Sequence, residues 1–217
     1  MGHERELLNI AAADISQSVG TSFSNISDSM RRATYSNNFT YFSNSSKSQT
    51  VDKYAKKFLE ECKTELFPYS ETVGIFLYNE PCDAFYSAYH YFDALFLGQK
   101  AATLLRDDPS LLTEQPVFLK TIDSKTYLFC SRTSRYGTLT VMLDPERNIS
   151  LLNYNSIYGE SAMFSFSDTS APQKNSFFHS MKGIPLYLNC VYEIRFSLYP
   201  VQMILLGIIL FLLIVIP

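Results

Sequence analysis

The sequence predicts an α+β fold, in which a helix, a strand and two helices precede an antiparallel β-meander, with a transmembrane helix at the C-terminus. Three observations support this prediction. Apolar residues recur at helical spacing in the first half of the chain, they alternate with polar residues after Pro116, and residues 196–217 carry no charge. The length of 217 residues fits one globular domain with appendages.

The composition excludes several classes of protein. A net charge of -3, with eleven acidic against six basic residues between 51 and 114, argues against a nucleic-acid-binding protein, which needs a basic surface. Four cysteines in 217 residues are too few for a disulfide-stapled scaffold. An apolar share of 47% excludes a chain that is disordered throughout.

Residues 1–50 are predicted to form an arm that begins with an amphipathic helix. The helical stripe comprises Leu8, Ala12, Ile15, Val19, Phe23, Ile26 and Met30. A helix this rich in serine needs a docking surface, either on its own domain or on another protein. The residues expected to contact an unidentified protein partner are Leu8, Ile15, Val19, Phe23 and Met30. Residues 16–50 contain 19 Ser, Thr and Asn side chains, which is typical of a flexible linker.

A short basic motif lies within this arm. Arg31 and Arg32 precede Thr34 at the spacing that basophilic kinases accept. A phosphate on Thr34 would place nearly two negative charges beside two arginines. Thr34 is therefore a candidate phosphorylation site.

The globular domain is predicted to span residues 51–170. Residues 51–66 show a clean amphipathic pattern, with Lys and Glu on the outer face, and predict the first helix. The apolar run 72–78 predicts a buried strand. A capping Asn and an early Pro predict a second helix over about 79–97, and a shorter helix follows over 99–106.

The second predicted helix is unusually rich in aromatic residues, which allows two interpretations. The aromatic side chains either fill the core or line an apolar pocket for a small ligand or lipid beneath the sheet. In the second interpretation the candidate lining residues are Phe85, Tyr89 and Phe92.

After Pro116 the alternating pattern predicts a meander whose strands pack against helices on one face. The predicted strands are 117–122, 126–131, 138–144, 149–154 and 162–167, separated by turn residues. This order of elements is similar to that of the profilin-like folds, which include longin-type trafficking modules and PAS-type or Cache-type sensors. The resemblance rests on element order, and it assigns a role to no residue.

The C-terminus is predicted to be a linker over residues 171–195 and a membrane anchor over 196–217. A helix of about 22 residues is about 33 Å long, enough to cross a hydrocarbon core of about 30 Å. Lys182 and Arg195 precede the segment and no basic residue follows it, which favours a cytosolic N-terminal domain. With no signal sequence at its start, the chain is expected to be tail-anchored in the ER or another endomembrane.

Three alternatives to a tail anchor remain open. The segment 196–217 has the character of a GPI signal, although such a signal requires entry into the secretory pathway. It is also compatible with a buried core helix, or with an alternative ending attached to a longer protein's domain.

The sequence contains few of the motifs that carry chemistry. It has no phosphate-binding glycine loop, and its Cys and His residues lack the spacing of a zinc site. Residues 159–163 resemble an incomplete nucleophile elbow, and Cys82 and His90 lie about 12 Å apart on the predicted helix, too far for a dyad. We therefore predict no catalytic residue, no cofactor and no metal, and we do not expect an enzyme.

These observations favour a membrane-anchored cytosolic adaptor that binds another protein, in trafficking or scaffolding. One alternative is a domain that senses a small ligand or lipid in the aromatic pocket. The other is a lumenal or surface glycoprotein, because the chain contains glycosylation sequons at Asn25, Asn38, Asn44 and Asn148.

Overall fold

The computed structural model describes residues 2–91, 94–114, 116–151, 162–171, 175–192 and 204–208. The helices are α1 (Gly2–Ala33), α2 (Asn37–Asn44), α3 (Ser48–Leu66), α4 (Ala94–Asp107), α5 (Ser110–Glu114) and α6 (Glu146–Leu151). The strands are β1 (Thr72–Asn79), β2 (Ala84–Tyr89), β3 (Val117–Ile122), β4 (Lys125–Ser134), β5 (Gly137–Leu143), β6 (Ala162–Ser167), β7 (Ser176–Ser180) and β8 (Tyr187–Tyr192). The predicted α+β class, with helices and antiparallel sheets, is confirmed.

The strands form two antiparallel sheets. The larger sheet has the order β2-β1-β5-β4-β3, and the smaller has the order β6-β8-β7. At the centre of the larger sheet, Val141 of β5 is opposite Ile75 of β1 on one side and Cys130 of β4 on the other. Every residue of β1 is buried, as expected for a strand that has neighbours on both sides and helices on both faces.

One face of the larger sheet packs against α1 and α3. Alternate residues such as Ile75, Leu77 and Val141 point to this face, as the two-residue period of a strand requires. The apolar stripe of α1 packs here, and Ile15 at its centre has no exposed surface. Phe58 of α3 packs against Phe39 of α2, with ring centroids 4.9 Å apart. Helices α2 and α3 thus belong to the same core as α1.

The opposite face of the sheet carries a smaller core. Leu105 of α4 and Leu112 of α5 pack with aromatic side chains of the strand residues that point to this face, such as Phe76 of β1. The rings of Phe118 and Phe129 stack with centroids 5.0 Å apart and planes 5° from parallel. The prediction that helices cover only one face was therefore wrong, because α4 and α5 cover the second face.

The predicted aromatic helix over 79–97 was also wrong. Residues Glu80–Cys82 form a single 3-10 turn that ends at Asp83 with a positive φ of 45°, which reverses the chain. Residues 84–89 then pair with β1 as strand β2. Tyr86 packs against the core on one face of the sheet and Phe85 and Tyr89 against the core on the other, so aromatic side chains on both sides of this segment satisfy a strand as well as a helix.

Two further segments differ from their predicted structure. The predicted strand 149–154 begins inside α6, because Asp144 accepts a hydrogen bond from the backbone N–H of Glu146 and so starts a helix (3.2 Å). The predicted linker 171–195 contains β7 and β8.

The Ser-rich segment 16–50 is mostly helical rather than a linker, because it contains the second half of α1, all of α2 and the start of α3. Ser36 caps α2 by accepting a hydrogen bond from the Phe39 N–H (3.1 Å). The buried hydroxyl of Ser29 lies 3.1 Å from the phenol oxygen of Tyr69. Hydroxyl groups that composition assigns to solvent therefore act as caps and as bridges between elements.

Most of the predicted membrane anchor, 196–217, lies outside the described residues. The part that is described, 204–208, is helical and exposed. No helix in the described part of the chain combines the length and apolarity that a membrane crossing requires.

Candidate functional site

An open cleft of about 610 Å³ lies between α1 and the segment that leads into β1. We call it the α1 cleft. Its lining residues are Asp14, Gln17, Ser18, Thr21, Ser22, Asn25, Pro68, Tyr69, Ser70, Glu71 and Asn148. Two of these carry a carboxylate, and none is a lysine or arginine. The other polar residues offer hydroxyl or amide groups, so the cleft is acidic and rich in hydrogen-bonding groups.

The carboxylate of Glu71 is the buried centre of this cleft. Glu71 is only 8% exposed, and its Oε1 accepts hydrogen bonds from the Ser22 hydroxyl (2.7 Å) and the Asn148 Nδ2 (2.8 Å). Its Oε2 accepts a third from the Ser70 hydroxyl (3.2 Å). These bonds replace the water that the carboxylate loses on burial.

No lysine or arginine forms an ion pair with Glu71 within the described residues, although the Arg147 guanidinium donates to the carbonyl of the neighbouring Ser70 (3.3 Å). The ion pairs found there join other residues, and each hydrogen-bond donor to Glu71 is electrically neutral. A buried carboxylate is costly unless it is paired or well hydrogen-bonded. The arrangement therefore holds a negative charge in a fixed position at the cleft.

Helix α6 positions Asn148. The backbone N–H of Asp144 donates to the Glu71 carbonyl (2.8 Å), which fixes the start of α6 beside the cleft. Asn148 is 7% exposed, and its Oδ1 accepts a hydrogen bond from Ser18 of α1 (3.1 Å). Asn148 thus connects α1 to Glu71 with both ends of its amide.

A compact set of ion pairs supports α6 from behind. The Lys125 ammonium lies 2.9 Å from Asp144 Oδ2 and 3.0 Å from Glu146 Oε2, and the Arg147 Nε lies 3.5 Å from Asp144 Oδ2. Partial burial alone would lower the pKa of Lys125, but hydrogen bonds and charge from Asp144 and Glu146 outweigh it and raise the pKa. Asp144 is therefore neutralised, in contrast to Glu71.

A stack of rings lies beside the cleft. The His90 ring packs between Phe67 (centroids 4.8 Å apart) and Tyr91 (3.8 Å), and the Arg147 guanidinium lies 4.9 Å from the Tyr91 centroid. The His90 Nδ1 is 3.0 Å from the Thr72 carbonyl oxygen, which can only accept, so Nδ1 carries a proton. Burial lowers the pKa of His90; the Thr72 bond opposes this and the Arg147 charge adds to it.

A second cleft, of about 550 Å³, lies on the other face of the sheet, between α4, α5 and β3. We call it the α4 groove. Its lining residues are Lys100, Thr103, Leu104, Asp107, Asp108, Leu111 and Lys120. Positive and negative side chains balance here, and Lys100 is already paired with Asp123 at 2.6 Å. The α4 groove therefore presents no fixed charge comparable to Glu71.

The residues predicted to contact a partner lie mostly in the protein's own core. Leu8, Ile15, Val19 and Met30 are buried, and Phe23 is half-buried against the same cluster. Docking of the helix on its own domain was one of the two interpretations of this stripe. In this conformation four of the five side chains offer almost no surface to a partner, and Phe23 offers part of its ring.

Two of the three candidate residues of the predicted aromatic pocket lie on a strand rather than on a helix. Phe85 and Tyr89 lie on β2 and pack around Phe76, with ring centroids 6.0 Å and 6.2 Å from it. They line neither the α1 cleft nor the α4 groove. Phe92 lies outside the described residues.

Thr34 lies just beyond the end of α1 and is half-buried. Its hydroxyl donates to the Arg31 carbonyl at 2.8 Å. Thr34 lies in the turn between α1 and α2, at the opposite end of α1 from the first turns of that helix.

The four glycosylation sequons differ in accessibility. Asn25 and Asn44 are exposed, whereas the Asn38 Nδ2 donates to Glu61 Oε1 at 2.6 Å. The Asn148 Nδ2 is buried and bonded to Glu71. A glycan on Asn148 is therefore incompatible with this fold, while Asn25 and Asn44 have room for one.

The cysteines are free thiols, and three of them, Cys62, Cys130 and Cys190, are buried. Burial raises the pKa of Cys130 and of Cys190 to about 12, so both are unreactive thiols at neutral pH. Among the described residues, no group of three His, Cys, Asp or Glu side chains is arranged to hold a metal ion.

Sequence reasoning missed Glu71, Ser22 and Ser70, and it treated Asn148 only as a sequon. One signal was present. The polar residues Asp14, Ser18, Thr21 and Asn25 recur at steps of four, three and four, beside the apolar stripe of the same helix. Such a polar row indicates a helix face that lines a wet cleft.

Comparison with known proteins does not identify this site. No protein-family model matches the sequence, and no curated protein shows significant similarity to it. The function is therefore argued from the site itself.

Proposed function

We propose that this chain is a membrane-tethered binding domain that senses a small hydrophilic cation, such as an amino alcohol or amino sugar, in the α1 cleft. The observation that carries the proposal is the buried Glu71 carboxylate, held by three neutral donors and paired with no cation among the described residues. A bound ammonium group would supply the missing positive charge.

The rest of the lining supports the same class of ligand. Asp14 adds a second carboxylate on α1, which favours a cation further. Hydroxyl and amide groups of Ser18, Thr21 and Asn25 suit a ligand that carries hydroxyl groups of its own. The cleft volume of about 610 Å³ lies within the range of small-molecule sites.

Binding rather than catalysis fits the residues of this cleft. Its described lining contains no cysteine, histidine or lysine, and the hydroxyls of Ser22 and Ser70 donate to the Glu71 carboxylate and so hold it in place. Instead the ligand would join α1, the segment 68–71 and α6, the three elements that Asn148 and Glu71 already connect. A ligand in this position would tighten the contact between α1 and the sheet.

The tether is proposed from the sequence alone. The uncharged segment 196–217 supports it, as does the basic side chain of Arg195 just before it. The adaptor role predicted for the apolar stripe of α1 stays a prediction. The stripe itself offers little surface for it, because it lies in the core.

Titration calorimetry on the full chain in detergent tests the proposal. The probes are ethanolamine, glucosamine and spermidine, with glucose and gluconate as neutral and anionic controls. We expect at least one amine to bind with one molecule per chain, and the two controls not to bind. Absence of heat with all three amines, or equal binding of gluconate, would contradict the proposal.

Substitutions locate the binding. Glu71→Gln at the buried floor should weaken amine binding by about tenfold or more, because it removes a desolvated charged partner. Asp14→Asn, an exposed change at the rim, should weaken it by about two- to fivefold, because water screens an exposed pair. Asp107→Asn, an exposed change in the α4 groove, is the matched control and should leave the affinity unchanged. Equal affinity of the Asp14→Asn and native chains for the amine would show that the amine does not bind in the α1 cleft.

A further inference from the structure

The junction between α1 and α2 exposes a modification motif on a short turn. Thr34 is the first residue after α1; it is half-buried, and its neighbour Tyr35 is 78% exposed. The side chains of Arg31 and Arg32 are also exposed, at 55% and 62%. The turn therefore combines an exposed neighbourhood with two arginines at the spacing that basophilic kinases accept.

Arg32 connects the end of α1 to the rest of the domain. Its Nη2 donates to the Ser29 hydroxyl at 2.8 Å and lies 3.9 Å from Glu65 Oε2 of α3. The Ser29 hydroxyl in turn lies 3.1 Å from the phenol oxygen of Tyr69. Arg32, Ser29, Glu65 and Tyr69 thus form a clasp between α1, α3 and the segment before β1.

The ion pairs of both arginines are weak. Arg31 pairs with Asp28 at 3.2 Å on the exposed surface of α1, and the Arg32–Glu65 pair is longer still. Exposed pairs of this kind contribute little to stability, because water screens them. A stronger anion placed near Thr34 would therefore compete for both guanidinium groups.

We propose that Thr34 is phosphorylated by an arginine-directed protein kinase, and that its phosphate opens the clasp by drawing Arg32 away from Glu65. In the reaction the Thr34 oxygen attacks the γ-phosphorus of ATP, and the bond to the bridging oxygen breaks. ADP leaves, and the hydroxyl proton passes to the catalytic base of the kinase. This inference does not depend on what binds in the α1 cleft.

The position of Thr34 determines the effect. A phosphothreonine carries a charge of about -1.5 to -2 at pH 7, more than the carboxylate of Glu65. The C-terminal end of a helix carries partial negative charge, so a phosphate there disfavours the last helical turn. Phosphorylation also removes the hydroxyl proton that Thr34 donates to the Arg31 carbonyl, so this hydrogen bond is lost. The end of α1 then loosens while Arg31 and Arg32 reorient.

Phosphate incorporation tests the first half of the proposal. The full chain in detergent is treated with ATP and a kinase selective for Arg-Arg-x-Thr, and the product is mapped by mass spectrometry. We expect one phosphate per chain, on Thr34, retained on the serine of Thr34→Ser and absent in Thr34→Ala. Ser24→Ala, which removes an exposed hydroxyl of the same helix without upstream arginines, is the matched control. No incorporation, or undiminished incorporation in Thr34→Ala, would overturn the assignment.

Hydrogen exchange tests the second half. In the phosphorylated chain, amides of residues 29–36 should exchange about two- to fivefold faster, the factor that corresponds to an unfavourable charge at a helix end. Glu65→Gln should speed exchange in the same residues of the unphosphorylated chain, and phosphorylation should then add less. Unchanged exchange after complete phosphorylation would show that the phosphate does not open the clasp.

Discussion

The two faces of the larger sheet carry clefts of similar volume and different construction. The α1 cleft, of about 610 Å³, has a floor of buried polar groups, Glu71 and Asn148. The α4 groove, of about 550 Å³, is lined along α4 by exposed side chains, including Lys100 and Asp107. Volume does not distinguish the two. The buried and fixed carboxylate does, because only a group held in place before binding can recognise a ligand without first being ordered.

The cores beneath the two clefts also differ in construction. The face beneath α4 is filled by aromatic side chains such as Phe76, Phe118 and Phe129, of which the last two stack on each other. The face beneath α1 is closed by a long helix whose neighbouring polar row stays at the rim. A helix with an apolar stripe next to a polar row supplies both the core contact and the cleft wall.

The largest effect is expected from α1 itself. Ile15→Ala should destabilise the domain by about 2–5 kcal/mol, because it leaves a cavity in the larger core. Ile10→Ala on the same helix should change stability by less than about 0.5 kcal/mol, because Ile10 is 54% exposed. Urea unfolding monitored by circular dichroism measures both. Equal, small effects would mean that α1 does not contribute to the core.

Substitution of two helical glycines, one on each face of the sheet, should change the stability of the domain by an intermediate amount. An added Cβ at Gly98 of α4 would overlap the Tyr89 ring, so Gly98→Ala should cost about 1–3 kcal/mol. At Gly20 of α1 a Cβ meets no atom within 4 Å, so Gly20→Ala should stabilise by about 0.4–1 kcal/mol. Thermal unfolding of the two variants distinguishes them. A stabilising Gly98→Ala would show that α4 does not pack closely on β2.

The smallest effect is expected at His90, between the α1 cleft and β1. The pKa of His90 is lower in the folded protein than in the unfolded chain, so the unfolded state takes up a proton first as the pH falls. The stability that this group contributes is present above the unfolded pKa of about 6.5 and is lost as the pH falls through the folded pKa.

His90→Asn removes the titration while its amide can still donate to the Thr72 carbonyl. Urea midpoints measured between pH 7.5 and pH 5.5 should fall less in this variant than in the native chain. Parallel curves for the two proteins would show that the stacked His90 ring does not carry this pH dependence.

Much of the fold follows from local patterns, and the exceptions have physical causes. Strands β1, β3, β4, β5 and β6 were predicted because their apolar residues run together or alternate over a short length bounded by turn residues. Strand β2 was missed because its aromatic residues satisfy both a helix and a strand, and pairing with β1 decided between them. Propensity gives way to tertiary contacts in such segments.

The candidate site was beyond local patterns for a different reason. The hydrogen bond between Asn148 and Glu71 joins residues 77 positions apart, and it exists because β5 pairs with β1 just before α6. The serines of α1 have the composition of a linker. Their structural role depends on hydrogen bonds with Glu71 and Tyr69, which only the folded chain brings close to them. The helix was predictable, but the partners of its polar row were not.

Hydrogen exchange of the full chain, with and without a saturating amine, tests the central claim most directly. Binding in the α1 cleft predicts slower exchange in residues 14–25, 68–71 and 146–151, and no change around the α4 groove at residues 100–120. Slowing confined to residues 100–120, or no slowing at any amine concentration, would contradict the account.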